Sequence, residues 1–162
     1  VCRPYLFFAI APALVLCACS RQLPYEGKSL ADLKDMLASA DPVVQAQGAY
    51  GLSLDSAKAR EAVPELTDAL ASKDSNVREW SAKALGSVGP DASMAVPALI
   101  KALRDKSWPV QRQAAMALGK MGPRAWKALP ALDELRESPD KLVRQAAEKA
   151  RRLIDPPEQK DK

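Results

Sequence analysis

The side chains able to do chemistry are few and unevenly placed. Three cysteines, Cys2, Cys17 and Cys19, all fall within the first 19 of the 162 residues, and histidine is absent throughout. Without His the usual general base, proton shuttle and commonest metal ligand are missing, so acid–base work would fall to carboxylates. Two pairs have the spacing to share a helix face, Asp32/Asp35 and Glu65/Asp68. Neither comes with a third group to orient it, and a solvated convex face is their expected role. No catalytic residue, metal or cofactor is assigned.

The composition also narrows the function. It is 48% hydrophobic but only 5% aromatic, with 7 Gly, which suits helices built on Ala and Leu and points to an all-α protein. The formal charge is +4, with 24 basic residues nearly matched by 20 acids, so no sequence-wide field favours a polyanion and nucleic acid is not implied.

Arg3 precedes a mostly apolar run from Tyr5 to Leu16, too short to span a bilayer comfortably and suited to the apolar region of a secretory leader. It ends in Leu16-Cys17-Ala18-Cys19, which resembles the bacterial lipobox. That resemblance implies cleavage before Cys19 and lipidation of its thiol, with residues 1–18 a lipoprotein signal peptide; the alternative is an ordinary signal peptide or an uncleaved anchor. Acyl chains contribute about 0.8 kcal/mol per buried CH2, enough for a multiply acylated Cys19 to hold the chain on a membrane. Ser20 in place of Asp after the cysteine implies, through the same resemblance, an outer-membrane location facing the periplasm in a Gram-negative cell. Residues 19–28 read as a polar tether, and 157–162 as a disordered tail.

Between these ends, from 29 to 156, the chain repeats itself. Ala62-Val-Pro-Glu-Leu66, Ala95-Val-Pro-Ala-Leu99 and Ala128-Leu-Pro-Ala-Leu132 recur every 33 residues, and a weaker first copy begins at Ser29-Leu30. Each unit holds two helical patterns. Leu30, Leu33, Leu37 and the equivalents Val63, Leu66, Leu70 and Val96, Leu99, Leu103 form the buried stripe of a first helix. Val44, Val77, Val110 and Val143 form one column of a second helix, followed by Leu52, Leu85 and Leu118 and separated by small residues such as Ala82, Ala84, Ala115 and Ala117. Asp41, Asp74, Ser107 and Asp140 stand where each second helix begins and are expected as N-caps, each worth about 1 kcal/mol. Gly89-Pro90 and Gly122-Pro123 end two second helices, and Pro64, Pro97 and Pro130 open first helices.

The units resemble HEAT-like repeats, in particular the short kind named after phycobilisome lyases, with A-V-P-A-L and V-R-x-x-A-x-x-A-L-G patterns. The fold this implies is an α-solenoid of four 33-residue two-helix repeats over 29–156. The family's Asp/Arg pair at the second helix survives as Asp74 with Arg78 and Asp140 with Arg144, while Gln45 and Gln111 interrupt the ladder. Polar residues close the two ends: Asp55 stands where the middle units have Val88 and Met121, and Arg136, Glu148 and Arg151 enter the last unit.

A solenoid binds partners along the face formed by its second helices. Three columns are expected there: Gln47, Trp80, Gln113, Ala146; then Tyr50, Lys83, Met116, Lys149; then Leu54, Ser87, Lys120, Leu153. Trp80 stands out as a large aromatic among Gln and Ala, an anchor for a partner. With Tyr50, Lys83, Met116, Lys120 and Lys149 it makes a mixed apolar and basic strip; the bland alternative is packing over a neighbouring repeat. Trp108 and Trp126, the latter in a loop, are expected to cover repeat junctions. The function expected is a membrane-tethered interaction scaffold for a protein or peptide, with no small-molecule substrate. A bilin lyase, suggested by the family resemblance, and a nucleic-acid-binding module are the alternatives.

Overall fold

The computed structural model describes residues 23–156. The leader, Cys19 and the 157–162 tail lie outside the described residues, so the expectations placed on them are not addressed by the fold.

Every regular element among the described residues is helical. Four helix pairs follow one another: α1 (Leu30–Leu37) with α2 (Pro42–Leu54), α4 (Val63–Ala69) with α5 (Ser75–Val88), α6 (Val96–Ala102) with α7 (Trp108–Met121), and α8 (Leu129–Leu135) with α9 (Lys141–Ile154). A short α3 (Ser56–Glu61) joins the first pair to the second, and 3-10 segments Gly89–Ala95 and Gly122–Ala128 do the same for the next two junctions. The apolar columns become the core: Leu66, Leu99, Leu103, Val77, Val110, Val143, Leu52, Leu85 and Leu118 are fully buried, whereas Leu30 and Val44 of the first repeat, expected in the same columns, are only partly buried.

Local chemistry sets the boundaries. Ser29 and Asp32 form a capping box at α1. Asp41 accepts from Val43 N–H, Asp74 from Asn76 and Val77, and Asp140 from Leu142 and Val143, as an N-cap should. Gly89 and Gly122 have φ of +71° and +62°, the left-handed turn that ends α5 and α7 without a Cβ penalty. In the first repeat Asp55 replaces this device: it stops α2 and its carboxylate caps α3 through Ala57 and Lys58 N–H, so a true helix forms where the later repeats have 3-10 turns.

Ser107 departs from the expected pattern, making no side-chain cap. The loop columns explain it. Ser39-x-Asp41, Ser72-x-Asp74 and Ser138-x-Asp140 give way to Asp105-x-Ser107, so the acid and hydroxyl have exchanged places. Asp105 accepts the Ser107 N–H at 2.9 Å, and its carboxylate then reaches Arg78 of the preceding repeat in a bidentate pair at 2.6 and 2.8 Å. Arg78 also donates to the carbonyls of Ser72 and Lys73. Arg144 does the same to Ser138 and Pro139, and Gln111 to Asp105, so three of the four members of this column tie down their own loop, Gln45 making no such bond among the described residues. Only Arg78, among these, meets a carboxylate from the next repeat.

Along the array the second helices pack directly on one another, α2 to α5 to α7 to α9, while the first helices stand further apart. Glycine permits the closest approaches: a Cβ on Gly86 would lie 3.0 Å from the Ala117 Cα, and one on Gly119 only 2.8 Å from the Ala150 Cα. Closer spacing puts the second helices on the inner side of the curve. Outer contacts are polar, with Lys34–Glu65 at 2.9 Å and Arg104–Glu134 at 2.7 Å bridging successive repeats. Thus Glu65, one of the carboxylates that could have served catalysis, pairs across repeats, and Asp32 belongs to a cap. At the far end Arg151 and Arg136 both reach Asp133, and Arg152 pairs with Glu148, giving the last repeat a polar outer surface.

Candidate functional site

The inner face begins with an aromatic series. Tyr50 on α2 meets Trp80 on α5 edge to face, ring centroids 4.4 Å apart, and Tyr25 meets Tyr50 on its other side at 4.7 Å. Lys83, one turn after Trp80, places its Nζ 4.5 Å from the Trp80 ring centre and 5.2 Å from that of Tyr50. An ammonium over two ring faces is attracted by their quadrupoles and holds them in place.

Three of the expected partner-binding residues, Tyr50, Trp80 and Lys83, are therefore one contact group. Tyr25 completes it, although the tether reading gave that residue no role. Residues 23–28 fold back instead, and Tyr25 rests on Gly51, whose missing side chain leaves the space: a Cβ there would lie 2.8 Å from the Tyr25 Cβ. The Lys28 carbonyl receives a hydrogen bond from Lys58 Nζ at 3.0 Å. Desolvation, followed by a hydrogen bond with Tyr50, pushes the Tyr25 phenol above its ordinary value. No repeat-to-repeat comparison could have found Tyr25, because it precedes the first repeat; an aromatic so near the first helix is the one hint.

Beside these rings lies an open groove of about 480 Å³ between α2 and α5, walled by Tyr25, Val43, Ala46, Tyr50 and Trp80, with Asp74 and Asn76 at its rim. Val43 is 62% exposed there, an apolar side chain left to water. Asp74 already serves as the α5 cap through one oxygen. The groove is thus an apolar trough with a polar edge.

Trp80 itself is only half exposed, since part of its ring bridges repeats 1 and 2. Its column departs further from the expectation: Gln113 and Ala146 are both buried, at 8% exposure. That column runs along the seam between neighbouring second helices, and only its members in the first two repeats, Gln47 and Trp80, are partly exposed. The other three expected residues, Met116, Lys120 and Lys149, form a second group, around a small cleft between α7 and α9 that Leu153 also lines. Trp108 and Trp126 stand apart from both groups. They are 46% and 62% exposed, so neither seals a junction, and Trp126 lies in a 3-10 segment, not a loop.

Among the described residues no group of three or more Asp, Glu or Cys stands close enough to hold a metal ion. None of the described helices is long and apolar enough to cross a membrane.

Residues 30–95 and 90–152 match the family described as HEAT repeats. Among solved structures, an engineered protein is 28% identical, with a TM-score of 0.64 over 77% of this chain and 62% of that one. The chain therefore spans less than two thirds of that relative. A designed armadillo repeat protein in complex with the peptide (KR)4 is 19% identical, with a TM-score of 0.69 over 78% of this chain and 64% of that one. The complex of CpcE and CpcF of phycocyanin lyase from Nostoc sp. PCC7120 is 22% identical, with a TM-score of 0.61 over 74% of this chain and 78% of that one. The last two likenesses concern the fold alone. No curated protein shows a recognisable match to the sequence.

Proposed function

The chain belongs to the HEAT-repeat family, and from that premise we propose that it is a membrane-tethered scaffold gripping a protein or peptide partner on the inner face of its solenoid. One observation carries the reading: the apolar groove beside Tyr50 and Trp80, with Lys83 fixed over both rings. Half-buried aromatic rings flanking a trough are the usual material of a binding hot spot, because they offer large contact area with little entropy to lose. The armadillo relative in complex with a peptide is consistent with such use of this fold.

Capture from detergent-solubilised envelopes tests the groove. Trp80→Ala should reduce recovery of the partner at least about tenfold, the effect of losing one hot-spot side chain. Lys101→Ala, an exposed change on α6, should recover it fully. Equal recovery by a folded Trp80→Ala protein would contradict the assignment.

Tethering rests on Leu16-Cys17-Ala18-Cys19 and is a separate claim. Wild-type protein should sediment with membranes and carry an acylated N-terminal Cys19 by intact mass. Cys19→Ala should lose the acyl mass. A soluble, unacylated wild-type product would remove the membrane from the proposal and leave the groove untouched.

A further inference from the structure

Four cations lie on or beside the inner face. None of the ion pairs among the described residues involves Lys83, Arg112, Lys120 or Lys149. Lys120 and Lys149 line one cleft with Met116, while Lys83 lies over the Trp80 and Tyr50 rings. Met116 lies midway along α7 with Arg112 one turn before it and Lys120 one turn after, while Lys83 on α5 and Lys149 on α9 hold the equivalent places on the neighbouring helices. Met116 is 37% exposed at the centre. The three columns of the face contain no acid; Arg112 lies one column over, where its counterpart on α5 is Glu79.

Arg112 is half-buried: its Nε is shielded and has no hydrogen-bond acceptor among the described residues, so a carboxylate arriving from solvent would meet its terminal nitrogens.

We propose that the partner is an acidic, extended protein segment, its carboxylates on Arg112, Lys120 and Lys149 and its apolar side chains on Met116 and in the Tyr50–Trp80 groove. This names the partner of the same face and rests on the scaffold reading. Neighbouring helices stand about 10 Å apart, and an extended strand advances about 3.3 Å per residue, so about three residues span each repeat. Acidic residues recurring about every third position fit that spacing. The apolar members Met116, Leu54 and Leu153 favour a peptide over a nucleic acid, whose backbone offers them nothing, and an inward-curved face receives a chain better than a flat bilayer.

The test is selection from an unbiased random peptide library displayed against the purified protein, with Lys120→Glu/Lys149→Glu and Trp80→Ala variants in parallel. Both lysines are exposed and unpaired among the described residues, and circular dichroism checks that every variant remains helical. Wild-type protein should enrich Asp and Glu around an apolar residue. Those peptides should weaken at least about tenfold on the doubly reversed protein, and also in salt that screens exposed charge. Peptides without acidic bias that hold to the reversed protein but are lost from Trp80→Ala would overturn the acidic partner and leave the groove reading standing. Peptides indifferent to Trp80→Ala, or no enrichment at all, would overturn both. Binding of oligothymidylate or phosphatidylglycerol vesicles through the same lysines, without acidic peptides being selected, would overturn the proposal in favour of a general polyanion site.

Discussion

Asp105→Ala is expected to destabilise the protein by about 3 kcal/mol, lowering its melting temperature by roughly 10 °C, because it strands Arg78 in a nearly closed site. The two side chains are only 8% and 11% exposed, and Arg78 keeps just the loop carbonyls of Ser72 and Lys73 once the carboxylate is gone. Removing one partner of a buried pair costs far more than the pair contributes net, since the remaining charge stays desolvated. Replacing both, as Arg78→Met with Asp105→Ala, should therefore recover much of the loss. Thermal unfolding of the two singles and the double variant measures this; an additive double variant would show the clip to be energetically idle.

The same pair gives the stability a pH dependence. Burial, the largest influence on Asp105, works to raise its pKa, but the hydrogen bonds from Arg78 and the Ser107 N–H, with the Arg78 charge, hold it below the ordinary value. A carboxyl lowered in the folded state stabilises above its unfolded pKa, about 3.9, and that contribution is lost as pH falls through the folded value. Asp105→Asn should thus narrow the stability gap to wild type below about pH 4, while the gap stays constant between pH 5 and 7. Asp32, Asp55 and Glu65 are also lowered, so the difference between the two proteins isolates the Asp105 share.

Gly119→Val is the second large effect. Helix propensity alone would favour replacing a glycine inside α7, by up to about 1 kcal/mol for Ala. Packing reverses the sign: even the Cβ would sit 2.8 Å from the Ala150 Cα, a backbone atom that cannot turn aside, so α7 and α9 must separate. The expected loss is about 3 kcal/mol, at the top of the range for overpacked sites. It should fall on the last repeat, because each repeat of a solenoid is held only by its neighbours. Hydrogen exchange should show α8 and α9 losing protection while α4 and α5 keep theirs. Unchanged protection in α9 would show that the approach is looser than the geometry states.

Much of this fold is legible in the sequence because a period lets each position be compared with its copies. Val77, Val110 and Val143, the Asp caps and the Gly-Pro stops read correctly that way, since equal roles leave equal residues, while Val44 in the first repeat is only partly buried. The exchange at Asp105 and Ser107 breaks two columns at once, and a comparison of loops would have located the clip with Arg78. Other features have no column to consult. Tyr25 lies before the first repeat, and its docking depends on the void at Gly51. Periodicity also could not separate solvent from seam at Gln113 and Ala146, because how far a neighbouring helix covers them depends on the close approaches at Gly86 and Gly119.

Site-specific photo-crosslinking in intact cells shows which face of the protein a partner touches. A benzophenone side chain placed at Val43 or Met116 on the inner face, and separately at Lys101 or Met94 elsewhere on the surface, replaces residues that are all exposed. One discrete adduct is expected from Val43 and Met116, lost when Trp80→Ala is added, and none from Lys101 or Met94. Adducts formed from Lys101 or Met94 while the inner-face probes stay silent would contradict binding on the inner face.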